Sequence, residues 1–121
     1  MSILSRTVKP VNILSAEERA AGLRYILTAY APDWDAQIDV MTRVELRDLY
    51  ASGREQDGRY EPIGAYVVPE DDGTITAIDN RSGEAWTENF ERLGAALLWL
   101  VCDKLTADDA RKAWEKIMKA S

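Results

Sequence analysis

The chain has 121 residues, carries a net charge of −6 at pH 7, and is 46% hydrophobic and 30% charged. Those values suit one soluble globular domain with a real core and exclude a disordered chain. With no histidine and one cysteine, Cys102, it has no histidine general base, no Ser-His or Cys-His nucleophile pair, no histidine-bearing or four-cysteine zinc site and no intrachain disulfide.

Residues 1–14 read as an extended segment, because Pro10 bars a helix across them and Ile3, Leu4, Val8, Val11 and Ile13 are apolar or β-branched. Arg6 and Lys9 leave no apolar stretch of the kind a signal peptide needs. A lone cysteine also suits a reducing compartment, so the expected location is cytoplasmic. Ser15-Ala-Glu-Glu18 is a capping-box pattern that opens a helix running to Tyr30. Its apolar stripe is Ala16, Ala20, Leu23, Leu27 and Tyr30, widened by Ile26, with Glu17, Glu18 and Arg24 opposite. Ala31-Pro32 ends it, since a residue before proline avoids the helical region.

Residues 33–52 read as one bent helix or two short ones. Thr42-Arg-Val-Glu45 is a second capping box, with Met41 and Leu46 placed as a hydrophobic staple. Leu46, Leu49 and Tyr50 make its apolar face and Gly53 its stop. Residues 54–62 read as a polar loop.

Residues 63–68 and 74–78 read as a β-hairpin around Pro69-Glu-Asp-Asp-Gly73. A two-residue turn at Asp72-Gly73 pairs Val68 with Ala77. A four-residue turn pairs Val68 with Ile75 and Val67 with Thr76. In the latter, Tyr66, Val68, Ile75 and Ala77 share one face, and Ile63, Ala65, Val67 and Ile78 the other. A lone hairpin is marginal in water, so a third strand is expected from Glu84–Trp86, the N-terminal segment or a second copy of the chain.

Thr87 reads as the cap of an apolar helix with Glu88 in its first turn. The uncharged run Gly94–Cys102 has nine residues, far short of the roughly 20 that cross a bilayer. It belongs in a core or a subunit contact. Together with the apolar hairpin faces, it makes a homodimer the expected assembly. Thr106-Ala-Asp-Asp109 opens a last helix with Ala110, Ala113, Trp114, Ile117 and Met118 inside. Lys112, Lys116 and Lys119 lie toward its end, where they suit the helix dipole. The expectation is an α+β single domain over 1–121, in the order αα-ββ(β)-αα. It has about four helices and a small antiparallel hairpin or three-stranded sheet. Residues 1–14 are extended, 15–53 helical, 63–86 the hairpin region and 87–120 two helices.

The acids are unevenly placed. From Glu55 to Glu91 there are ten acids against two bases, Arg59 and Arg81, a window of −8 that leaves +2 for the rest. Such a window repels a nucleic-acid backbone and attracts a basic protein surface, although acids also simply keep a domain soluble. Among the tryptophans, Trp99 and Trp114 fall on apolar helix faces, while Trp34 and Trp86 are candidates for exposed anchors. Glu70-Asp71-Asp72 and Asp79–Glu84 carry carboxylates, but turn chemistry explains both. Glu88 and Glu91 would lie one turn apart on a helix surface. The helices over 16–30 and 43–52 are joined too loosely for a helix-turn-helix, and the second has no basic reading face.

The resulting expectation is a small acidic protein of the kind bacteria or phages encode. It acts by protein–protein binding as an inhibitor or adaptor, or as an inhibitor that mimics nucleic-acid charge. The candidate contact residues are Tyr66, Glu70, Asp71, Asp72, Glu84 and Trp86. The expected partner is a protein with a basic surface, not nucleic acid or a membrane. No catalytic residue, metal or cofactor is expected. The alternatives are an enzyme using carboxylates with a divalent ion, and a nucleic-acid-binding regulator.

Overall fold

The computed structural model describes residues 9–55, 58–102 and 104–120. The fold is α+β, with six α-helices and a four-stranded mixed sheet among the described residues. In chain order the elements are α1 (Ala16–Ala20), α2 (Leu23–Tyr30), α3 (Trp34–Gln37), β1 (Ile38–Val40), α4 (Arg43–Glu55), β2 (Gly64–Pro69), β3 (Ile75–Asn80), β4 (Trp86–Phe90), α5 (Leu93–Val101) and α6 (Ala107–Lys119). A 3-10 turn over Pro10–Ile13 replaces the extension expected there. Residues 1–8 of the expected extended segment lie outside the described residues.

The helix expected from Ser15 to Tyr30 is two helices. The capping box forms, with Ser15 Oγ accepting from Glu18 N and Glu18 Oε1 from Ser15 N. The chain then breaks at Gly22, whose φ of +78° is a left-handed conformation open to glycine. The break turns α1 so that Glu18 points inward while Ala16 and Ala20 face water. Tyr30 is also exposed, and the stripe survives only as Leu23, Ile26 and Leu27.

The second capping box forms as well, between Thr42 and Glu45. Met41 and Leu46 meet in one cluster. Gly53 does not stop α4, which runs on to Glu55. Gly53 is instead needed for close packing, because a Cβ there would overlap the Tyr60 ring. Ahead of α4, residues 38–40 are not helical. They form β1, parallel to β2 in the register Ile38 to Ala65 and Val40 to Val67. The segment β1–α4–β2 is therefore a crossover, the connection that parallel neighbours require.

The hairpin takes neither expected register. Val68 pairs with Thr76, Val67 with Ala77 and Tyr66 with Ile78. Glu70 N donates to Thr74 O at 2.8 Å and Gly73 N to Glu70 O at 3.1 Å, enclosing Asp71-Asp72-Gly73 with Gly73 at φ +89°. That is a three-residue loop with glycine in the left-handed position. A one-residue slip moves every side chain to the other face. Ile75 and Ala77 thus join Ala65 and Val67 on one face, and Ile78 joins Tyr66 and Val68 on the other.

The third strand is Trp86–Phe90, antiparallel to β3 from Ile75–Phe90 to Asp79–Trp86. Thr87 is therefore a strand residue and caps no helix. The apolar helix begins at Leu93 after Arg92, which gives no side-chain cap. Its cap comes from far away, as Glu18 Oε2 accepts from Gly94 N at 2.7 Å. Helix α6 starts where Thr106-Ala-Asp-Asp109 implied, and Thr106 and Asp109 close a capping box there.

Each face of the sheet packs a separate hydrophobic cluster. The larger holds Leu23, Leu27, Val67, Ala77, Phe90 and most of α5. The smaller holds Met41, Leu46, Leu49, Tyr66, Val68 and Ile78 under α4. From Leu93 through Leu98 every residue of α5 is buried, as is Leu100, so this chain covers its own apolar run. Among the described residues, no helix is long and apolar enough to cross a membrane.

Candidate functional site

The residues singled out for partner contact do not converge on one surface. Tyr66 is buried beneath α4, and its hydroxyl donates to Pro62 O at 2.9 Å and Ile63 O at 3.0 Å. Glu70 is half-buried. Its two oxygens each accept from Arg43 Nη1 at 2.9 Å, and Oε2 also accepts from Thr76 Oγ1 at 2.8 Å. Asp71 and Asp72 are exposed at the hairpin tip. Asp72 Oδ1 accepts from Thr74 Oγ1 at 2.6 Å and from Thr74 N at 2.9 Å. The hydroxyl bond, followed by the backbone one, holds its carboxyl below the ordinary range. These acids, with Thr74 and Asn89, line a shallow open depression beside Arg43.

Glu84 and Trp86 lie at the other end of the sheet. The hairpin tip adjoins Ile75, which pairs with Phe90, whereas Trp86 pairs with Asp79. Four residues at about 3.3 Å each place the two ends about 13 Å apart. The acidic turn and the tryptophan are thus separate features, and the turn is occupied by its own hydrogen bonds.

The Trp86 end is built from a buried amide. Asn80 is fully buried and spends its whole side chain on backbone. Its Nδ2 donates to Tyr60 O and Pro62 O, both at 2.9 Å, and its Oδ1 accepts from Ala85 N at 3.0 Å. That grip holds Ala85 at φ +53°, a left-handed conformation strained for any residue with a Cβ. The chain leaves this bend directly into Trp86, which is 61% exposed. By alternation Trp86, Glu88 and Phe90 share the α5 side of the sheet, while Thr87 and Asn89 face α4. Thr87 Oγ1 meets Tyr50 Oη at 2.8 Å, and Asn89 Nδ2 donates to Thr74 Oγ1 at 3.0 Å.

Beside Trp86, Asp79 takes both Arg81 Nε at 2.9 Å and Arg81 Nη2 at 3.0 Å. Arg81 Nη2 also donates to Leu100 O at 2.8 Å, tying this end of the sheet to the C-terminal end of α5. The Arg81 side-chain hydrogen bond, more than its backbone bond or charge, holds the Asp79 carboxyl below its ordinary value. A carboxyl depressed in the fold stabilises above its unfolded pKa, and that stability is lost as the pH falls through the folded one. Asp79→Asn is therefore expected to lower the denaturation midpoint at pH 7. The difference from wild type should shrink progressively below about pH 4, which denaturant titrations across pH check.

β4 is an edge strand. Asn89 turns its carbonyl to the open side, where Arg111 Nη2 reaches it at 2.7 Å. Arg111 also stacks over Phe90, 4.8 Å from the ring centroid, and is held by Asp108 at 2.9 Å. A charged side chain on an edge is a common guard against strand pairing. The same guanidinium also lies 3.9 Å from Glu88 Oε2, one residue further along β4 toward Trp86.

Other sequence candidates are placed elsewhere. Trp34 is 2% exposed in the larger cluster, with Nε1 donating to Thr28 Oγ1 at 3.1 Å, so it is no surface anchor. Cys102 is half-buried rather than fully enclosed. Glu88 is on β4 and Glu91 precedes α5, so they do not form a helical pair. No group of acidic or cysteine side chains able to hold a metal occurs among the described residues. The sequence alone marks neither Asn80 nor Ala85, because turn chemistry accounts for the whole stretch from Asp79 to Glu84. No protein-family model, curated protein or solved structure matches this chain.

Proposed function

We propose that this protein works in the cytoplasm by binding another protein, as an inhibitor or adaptor, through the start of β4 with Trp86 at its centre. One observation carries the reading. Trp86 stands 61% exposed on an edge strand, immediately after a strained Ala85 gripped by buried Asn80. An indole left in water gains on being covered, and tryptophan is among the residues most enriched at interface hot spots. Strain kept beside it points the same way, because folds retain strained backbone mainly where it serves a site. Glu84 and Glu88 nearby favour a basic partner surface. The lone cysteine favours a reducing compartment.

The test is affinity capture from a lysate of the producing cells, comparing wild type, Trp86→Ala, and the double variant Asp71→Lys/Asp72→Lys. Trp86→Ala should lose about tenfold or more of the captured partner. Its melting temperature should stay within about 2 °C, because an exposed side chain contributes little to folding. The turn variant should keep most of its capture. Undiminished capture by Trp86→Ala rejects this surface.

A further inference from the structure

Asn89 sends its carbonyl to the open side of β4, as its bond from Arg111 shows. In an antiparallel ladder a residue directs its N–H and C=O to the same side, and the side alternates residue by residue. Thr87 therefore shares the open side with Asn89, while Glu88 pairs inward with Ala77. The same alternation agrees with the hairpin, where the Glu70 N to Thr74 O bond puts Val68 and Thr76 in a bonded pair. Among the described residues none takes the Thr87 N–H, the Thr87 C=O or the Asn89 N–H. The free edge is thus short and open toward Trp86, and Arg111 closes it beyond Asn89.

We infer that this edge takes an extended segment of a basic partner as a fifth, antiparallel strand, with Lys or Arg two residues before an aromatic or aliphatic residue. The inference rests on the protein-binding reading above and specifies its mode. A residue opposite Thr87 makes both of its backbone bonds there. Its predecessor then lies opposite Glu88 and its successor opposite Trp86, in the close non-bonded pairs about 4.5 Å apart at Cα. Both flanking side chains project on the α5 side of the sheet, beside the indole and the carboxylate. Opposite-charge and aromatic pairs across strands stabilise such contacts. Main-chain bonds supply affinity and the alternate side chains supply selection, as in other strand additions.

Charge chooses this occupant over a second copy of the chain. Self-pairing about Glu88 sets Glu88 against its own equivalent, and self-pairing about Thr87 brings the Glu84, Glu88 and Glu91 side chains of both copies to one seam, so either register gathers like charge. Arg111, the nearest cation, lies 3.9 Å from Glu88 but is divided between that carboxylate, Asp108 at 2.9 Å and the Asn89 carbonyl, so one guanidinium faces several acids. Glu84, Glu88 and Glu91 all border the edge.

The experiment selects random peptides displayed on phage against the full chain and measures the winners by NMR amide exchange. The expected consensus is Lys or Arg, any residue, then an aromatic or aliphatic one. Peptide binding should slow exchange at the Thr87 and Asn89 amides about tenfold or more, with N-methylation at the peptide residue opposite Thr87 abolishing it. Glu88→Lys should shift the consensus to acidic residues while the melting temperature holds. Peptides that need Trp86 yet leave both amides unprotected overturn strand addition and leave the protein-binding reading standing. Failure of the library to yield any Trp86-dependent peptide overturns both. A chain of doubled mass whose Thr87 amide is protected without peptide overturns this occupant in favour of a second copy.

Discussion

Glu18→Ala is expected to destabilise the fold by about 3 kcal/mol, one of the two largest losses among single substitutions here. Glu18 is 4% exposed although it is a carboxylate. One oxygen closes the capping box on Ser15 at 3.1 Å. The other accepts from Gly94 N at 2.7 Å and from Trp114 Nε1 at 3.2 Å. It therefore joins three helices and places negative charge at the N-terminus of α5, where the dipole favours it. Alanine leaves the buried Gly94 N–H without an acceptor, at about 1–3 kcal/mol, and takes away the acceptor of the half-buried Trp114 indole as well. Glu18→Gln keeps the volume and one acceptor, so it should lose about half as much. Denaturant titration checks both, with the melting temperature of the alanine variant falling by roughly 10 °C. A loss below about 1 kcal/mol contradicts the role given to this carboxylate.

Gly94→Ala should cost about 2–4 kcal/mol, although alanine is the better helix former by about 1 kcal/mol. A Cβ at Gly94 would overlap Trp114 Cδ1 and lie 2.6 Å from Glu18 Oε2. Neither neighbour can withdraw cheaply. Trp114 donates to the same carboxylate, and Glu18 is the cap that α5 lacks locally. The added methyl therefore costs both packing and capping. The double variant Gly94→Ala/Trp114→Leu should be less destabilised than the sum of its singles by about 1 kcal/mol or more, since contacting residues couple. Additive losses contradict the contact.

Local chemistry was legible wherever it was self-contained. Two capping boxes, at Ser15 and Thr42, stand as their spacing implied, because such a motif closes within four residues and needs no tertiary partner, and the helix start read at Thr106 closes a third. The apolar run was legible because it carries no charge on any side, and the last helix because its periodicity states which face is buried. What depended on distant residues was not legible. Thr87-Glu88 resembles a helix start, yet pairing with Ile78 and Ala77 makes it strand. The cap of α5 lies 76 positions away in sequence, at Glu18. β1 has three residues, too few to show a period, and forms only because β2 lies alongside. The hairpin register turned on one glycine angle at Gly73, and that single residue exchanged the faces of β3.

The candidate surface was legible in the same uneven way. Trp86 and Glu84 were found by composition, being an aromatic and an acid in a polar setting. Tyr66 and Glu70 carry the same residue types, but burial and Arg43 take them out of reach. Nothing in the sequence marked Asn80 as the residue that aims Trp86, because two of its three hydrogen bonds go to the distant backbone of Tyr60 and Pro62 and the third closes the turn onto Ala85.

Hydrogen–deuterium exchange on the protein, free and with its captured partner bound, tests the central claim most directly. The proposed surface predicts slowed exchange over residues 84–89, with Thr87 the most strongly protected and the 70–74 turn unchanged. Protection confined to the 70–74 turn, with 84–89 exchanging as in the free chain, contradicts it.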